Sequence, residues 1–567
     1  MLERLVTPLI ILLVLLIWTF ILVLLDRKGI LEKFNMSRIW IFALMWRTKK
    51  GRGLIDKIAS PKKTWIWIAN FGFILFFSGM VLMFFMLALS AYFTVTSPLV
   101  QPVGAQEVLV LPGINPYVPF IFGIIGLIVA VVAHEFSHGI IARAEGFKVK
   151  ALGLLFILIP VGAFMEPDEE EVEKGPRKSR MRMFTAGPMI NFILAFIFLG
   201  IFSWGFMGSL GAEDDPLILT DIDTTSPFHI ALDEHPKALY SIDGKTVHSY
   251  EDIYTLEGVE PGKWVMTEVK VNGGRMLFPV ISGVMITNVD EDTPAYEAGL
   301  VEGSIILSVD GLTITNSEVF HEFMDETEPE QMINLTLLVP YLNSRDEIIL
   351  NGTGPEVMPL NSSLDILVPV NGYQNFYPAN YSVVLDDKYE HIPISIYKDK
   401  GYIGIGSTYM GVVGKGSEVL KDQIAHPISS ADSFVDGFYN VIYITFRLPL
   451  DLKIMPFHDP LTDIYEVNGV MSILPEDLFW FLANTVFYIF WLNILLGLFN
   501  ALPMIPLDGG FVFRDTMVLI LGKIFKDKDE EELEKRAKTI SKIASYTVLF
   551  FILTSVMFPW FRVWFLS

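Results

Sequence analysis

Six apolar runs, near residues 5–25, 65–93, 117–142, 184–207, 478–502 and 543–566, decide most of what this chain is able to fold into. Each is long enough to cross the roughly 30 Å hydrocarbon core of a bilayer, which takes about 20 helical residues. In lipid a spanning segment must satisfy its own backbone N–H and C=O groups, so the runs are expected to be helices. A mean hydropathy of +0.47 and 52% hydrophobic residues agree with a chain partly dissolved in lipid. The first run is long, lacks a small-residue cleavage site and leads into a lysine-rich stretch, so it reads as a helix rather than a signal peptide.

Charge orders these helices across the membrane. The loop 26–64 carries eleven Lys and Arg, among them Arg27, Lys33, Arg47, Lys50 and Lys63, whereas 94–113 carries none. The positive-inside rule makes the first loop cytoplasmic. Alternation then puts 143–182 and 523–542 inside and 208–477 outside. The net charge of −22 belongs to that outer region, where residues 208–475 hold 41 acidic and 13 basic residues. Nothing there or elsewhere forms the basic stripe that nucleic-acid binding requires. With no cysteine in the chain, disulfides, thiolate metal sites and cysteine nucleophiles are excluded, and any metal must be held by His, Asp or Glu.

His134-Glu135-Phe136-Ser137-His138 sets two histidines one helical turn apart on one face, where their imidazoles are able to grip a zinc ion. Glu135 beside them suits a general base that takes a proton from the attacking water, acidified by the metal to a pKa of about 7. His134 lies nine residues before Arg143, or roughly 13 Å into the membrane at 1.5 Å per residue. Ionisable groups at that depth are costly and mark functional sites. A catalytic zinc usually takes three protein ligands. Asp508 stands out as the third, because Pro503 and Pro506 break the fifth apolar helix and Gly509-Gly510 permit a close turn. The stretch 151–166 is apolar but too short to span. It is read either as a re-entrant hairpin beside the site or as an interfacial loop.

HEFSHG at 134–139, Asn500-Ala-Leu-Pro503 with Leu507-Asp508-Gly509, and AGPMIN ending at Asn191 together resemble the site-2 protease family of intramembrane zinc metalloproteases. The resemblance implies His134, His138 and Asp508 as ligands of one catalytic Zn2+, Glu135 as base, and Asn500 as a substrate-positioning group. It also implies a transmembrane protein as substrate, cleaved near the cytoplasmic side in regulated intramembrane proteolysis. A non-catalytic membrane receptor or scaffold is the alternative. Asn191 reads more simply as an interhelical packing or hydrogen-bonding residue than as a catalytic one.

The outer region repeats itself at an offset of 67 residues, aligning Pro227 with Pro294, Ala231 with Ala298 and Asp243-Gly244 with Asp310-Gly311. The second copy resembles a PDZ domain and the first a degenerate one. The expected division is 1–116 for the first two helices and their basic loop, and 117–207 for the first half of a protease core. A degenerate PDZ-like module at 208–275 and a PDZ-like domain at 276–345 follow. A β-rich region at 346–477 precedes the second core half and last helix at 478–567. PDZ domains bind extended peptides by strand addition, and Gly283-Val284-Met285-Ile286 is the expected binding strand for a peptide ligand; the modules read equally well as spacers. The whole is expected to be a multi-pass cell-membrane protein with its β-rich insertion extracytoplasmic.

Overall fold

The computed structural model describes the chain except residues 1, 40, 49–51, 97–101, 103, 105–109, 158, 213, 231–237, 257, 272–273, 342–349, 352–372, 375, 389–398, 432, 448–461 and 566–567. It divides into two compact units: 1–202 with 481–567, and 203–480.

The first unit is helical. After α1 (Leu2–Arg27) come α2 (Lys62–Thr96), α3 (Phe120–Glu145) and α4 (Arg177–Gly200). Among the described residues five helices are long and apolar enough to cross a membrane: α2, α3, α4 with the turns that continue it to Ser209, the helix Glu476–Ala501 and the helix Glu530–Phe565 over its Glu530–Val563 stretch. The first expected span is helical too, as α1, with the side chains of 2–12, 14 and 15 outside the described residues. Proline precedes α3 at Pro119 and glycine follows it at Gly146, the usual punctuation at helix ends.

Residues 151–157 and 159–166 lie in the two strands of a β-hairpin. Strands β1 (Met36–Ile39), β2 (Ala43–Thr48), β3 (Val149–Ile157) and β4 (Ile159–Pro167) make one antiparallel sheet in that order. The basic loop therefore holds more than a connection, since β2 pairs with β3 from Leu44 opposite Phe156 to Thr48 opposite Leu152. β4 is an edge strand packed beside α3.

The second unit contains two sheets with the same plan. One runs β8 (Gly274–Ile281), β7 (Trp264–Val271), β6 (Ala238–Ile242), β5 (Leu217–Ile222) and β14 (Val412–Gly416). The other runs β12 (Phe376–Val384), β11 (Met332–Pro340), β10 (Ile305–Val309), β9 (Val284–Val289) and β13 (Ile405–Tyr409), with helix α5 (Ser317–Asp325) alongside. One apolar core runs through both, from Leu217 and Phe228 to Phe320 and Tyr409. A boundary at residue 345 cuts across these sheets, because β12, β13 and β14 return from the region after it to complete them. The expected peptide strand needs correction for the same reason. Gly283 precedes β9, and Val284, Met285 and Ile286 have β13 along one edge, while Val284 and Met285 face β10 on the other, so this strand offers no open edge.

The long helices after the second unit are α6 (Glu476–Ala501), α7 (Asp508–Ile524) and α8 (Glu530–Phe565), all but the start of α6 in the first unit.

Candidate metal and catalytic site

Three helices of the first unit supply the site. α3 carries His134 and His138 on its buried face. Asp508 is the first residue of α7, delivered by the turn that ends α6. That turn is too tight for side chains: a Cβ on Gly509 would stand 2.2 Å from the Leu502 carbonyl oxygen and 2.3 Å from that of Ala501. The two glycines after Asp508 thus let the chain fold back at the depth of the histidines. Asp508 Oδ2 lies 3.1 Å from His134 Nε2 and 3.3 Å from His138 Nε2. Among the described residues this is the one convergent group of three His, Asp or Glu ligand atoms, all within 4.8 Å of one another.

The set fits zinc. Bonds of about 2.0–2.2 Å in a tetrahedron place ligand atoms roughly 3.3–3.6 Å apart, close to the spacings observed. Space is also kept for an ion, because the nearest part of α4 is Gly187, whose absent Cβ would lie 2.4 Å from His134 Nε2 and 2.5 Å from His138 Nε2.

The outer nitrogens of both imidazoles are occupied in the way metal ligands require. His138 Nδ1 donates to the Met183 carbonyl at 2.7 Å, which leaves Nε2 as the lone-pair nitrogen. Asn191 places its side-chain amide 3.0 Å from His134 Nδ1. With Nδ2 facing the ring, Asn191 Oδ1 is buried without a partner. A half-turn of the amide lets Oδ1 accept from an Nδ1–H, which is the tautomer that directs Nε2 inward.

Glu135 is half-buried, and its Oε2 accepts a 2.8 Å hydrogen bond from the Met165 amide of β4. The same face of α3 continues through Val131 and Ile128, one and two turns away. With Leu127 and Val132 these residues line a cleft of about 140 Å³, closed on the other side by Leu154, Gly162 and Ala163 of the hairpin. Below the site a buried ion pair clamps α4 to α7: Arg180 Nη2 to Asp515 Oδ1 at 2.8 Å and Nε to Oδ2 at 3.1 Å.

The sequence-predicted residues divide accordingly. His134, His138, Asp508 and Glu135 come together. Asn500 Nδ2 donates back to the Leu496 carbonyl of its own helix at 3.0 Å. Gly283–Ile286 belong to the second unit. Sequence reasoning missed Gly187 as the gap in front of the histidines, and read Asn191 as an interhelical packing or hydrogen-bonding residue without naming His134 as its partner. The four-residue spacing of the two, which puts them on one helix face, was the available signal.

The family model for peptidase family M50 matches residues 122–540, a range that includes His134, Glu135, His138 and Asp508. The chain belongs to this family. M50 peptidases are zinc metalloproteases of membranes, in keeping with the multi-pass helices and the His-His-Asp group here. An uncharacterised protein of Methanocaldococcus jannaschii is 30% identical over 257 residues, covering 44% of this chain and 66% of that one.

Proposed function

We propose that the protein is a zinc-dependent intramembrane endopeptidase that hydrolyses peptide bonds within or near the transmembrane segments of other membrane proteins. The observation that carries this is the convergence of His134, His138 and Asp508 with Glu135 inside a bundle of apolar helices. His134, His138 and Asp508 would hold the ion, which when bound supplies Lewis-acid polarisation of the scissile carbonyl and acidifies the attacking water.

The chain's own groups account for the rest. Glu135, steadied by the Met165 amide, takes the proton of the attacking water and returns it to the leaving nitrogen. A transmembrane helix hides its peptide bonds, so the substrate has to unwind. The open edge of β4 offers N–H and C=O groups to an extended segment, and the apolar cleft between the hairpin and α3 leads such a segment toward Glu135. Burial of His134 and His138 strengthens the electrostatic contacts they make. The charge of the flanking loops supports a site nearer the cytoplasmic side and an extracytoplasmic second unit.

Purified protein in proteoliposomes is expected to cut a model transmembrane substrate, and Glu135→Gln to lose at least about a hundredfold of that rate while keeping its zinc. Undiminished cleavage by Glu135→Gln would remove Glu135 as the base.

A further inference from the structure

We propose that the polar pocket between the short helix Arg52–Ile58, the last turn of α3 and the start of β3 binds a phosphate ester carried by an anionic lipid. The pocket lies wholly in the first unit, and its ligand requires no bound metal.

The pocket has a volume of about 470 Å³, and the charged residues that line it are Arg52, Asp56, Arg143 and Lys148. Three positive charges thus face one negative charge. Arg143 Nε donates to Asp56 Oδ1, and Arg143 Nη1 to the Phe147 carbonyl at 3.3 Å. Arg52 Nη1 donates to the Lys150 carbonyl at 3.4 Å, which ties the short helix to β3. Lys148 Nζ bonds Glu171 Oε1 at 2.6 Å, yet Glu171 stands outside the lining and the Lys148 side chain is 71% exposed. Counting Glu171 as well leaves three positive charges against two. The stretch 47–57 extends the bias, with Arg47, Lys49, Lys50, Arg52 and Lys57 against Asp56 alone. Guanidinium and ammonium groups converging on one cavity match the several acceptor oxygens of a phosphate.

The position of the pocket favours a lipid over a free phosphate. Arg143 lies in the last turn of α3, a helix long and apolar enough to cross a membrane. Basic side chains at such an end reach the level of the headgroups, where they attract anionic lipids. Gly53 leaves the pocket open, since a Cβ there would meet no atom within 4 Å. The floor is Ile55, which is fully buried and whose Cδ1 lies 3.0 Å from the place a Cβ on Gly139 would take. Met165, whose amide holds Glu135, packs on the same glycine, with its Cγ 3.4 Å from that point. A headgroup bridging Arg52 to Arg143 and Lys148 therefore holds the short helix against α3, directly beside the residue that follows His138.

The test uses the full-length protein in detergent micelles, with dissociation constants read by native mass spectrometry as dioctanoyl lipids are added. Dioctanoyl phosphatidylglycerol is expected to bind at least about tenfold tighter than dioctanoyl phosphatidylcholine. Glycerol 3-phosphate, which keeps the phosphate without the chains, is expected to bind at least about tenfold more weakly than phosphatidylglycerol. Arg52→Gln and Lys148→Gln should each weaken phosphatidylglycerol about fivefold. Gly53→Leu keeps every charge but fills the open side, and should weaken it at least about tenfold. Lys57→Gln, on the same helix but outside the lining, should leave it unchanged. Equal binding of the two lipids, no binding of either, or phosphatidylglycerol binding untouched by the three lining substitutions would overturn the proposal, as would an equal loss in Lys57→Gln. Glycerol 3-phosphate binding as tightly as phosphatidylglycerol would overturn the lipid as the occupant.

Discussion

Gly187→Ala adds one methyl group at the point where α4 meets the two imidazoles of the proposed metal site. That carbon would sit 2.4 Å from His134 Nε2 and 2.5 Å from His138 Nε2, whereas uncrowded contacts need about 3.5 Å. Either α4 retreats by roughly 1 Å or both rings turn away. Metal sites tolerate ligand displacements of only about 0.2 Å, so the ligand set is spoiled. Changes one layer further out typically cost 10–100-fold in metal affinity; displacing the ligand atoms themselves should cost at least about 100-fold. Overpacking of this kind costs about 1–3 kcal/mol of stability, which a domain stable by about 5–15 kcal/mol survives. Competition against a chromophoric chelator measures the zinc affinity, and circular dichroism with thermal unfolding checks the fold. An Ala variant that stays folded and binds zinc within threefold of the parent would refute the reasoning.

Asn191→Leu removes the partner of His134 Nδ1 and is expected to lower zinc affinity about 10–100-fold, with Asn191→Asp, which restores an acceptor, recovering part of it in the same titration. Asp515→Leu strands the Arg180 guanidinium in a buried place and should cost about 3–5 kcal/mol. The double variant Arg180→Met with Asp515→Leu should regain most of that loss, read from chemical unfolding in mixed micelles.

The candidate metal site was legible because its signals are local. A four-residue histidine spacing defines a helix face by itself, and Leu507-Asp508-Gly509-Gly510 announces a tight turn carrying one acid. The hairpin at 151–166 was legible as irregular, apolar and short, but its pairing with β2 was not, since nothing in the basic loop 26–64 marks a partner about a hundred residues away. The second unit shows the same limit. The 67-residue repeat revealed two similar modules, yet the strands that finish them, β13 and β14, come from one short stretch, 405–416, far down the chain. Sheet partners at such separation leave no periodic trace, so β9 looked like an edge when it is interior. The supports around the histidines, Met183 and Gly187, are a backbone carbonyl and a missing side chain, which have no motif of their own.

Zinc bound per chain tests the central claim most directly. Elemental analysis of protein purified without added chelator should give one zinc per chain for the parent and for Glu135→Gln, and close to none for His138→Ala and Asp508→Ala. A parent protein that is folded, cleaves a transmembrane substrate and holds no zinc would contradict the account, as would Asp508→Ala with its full complement of metal.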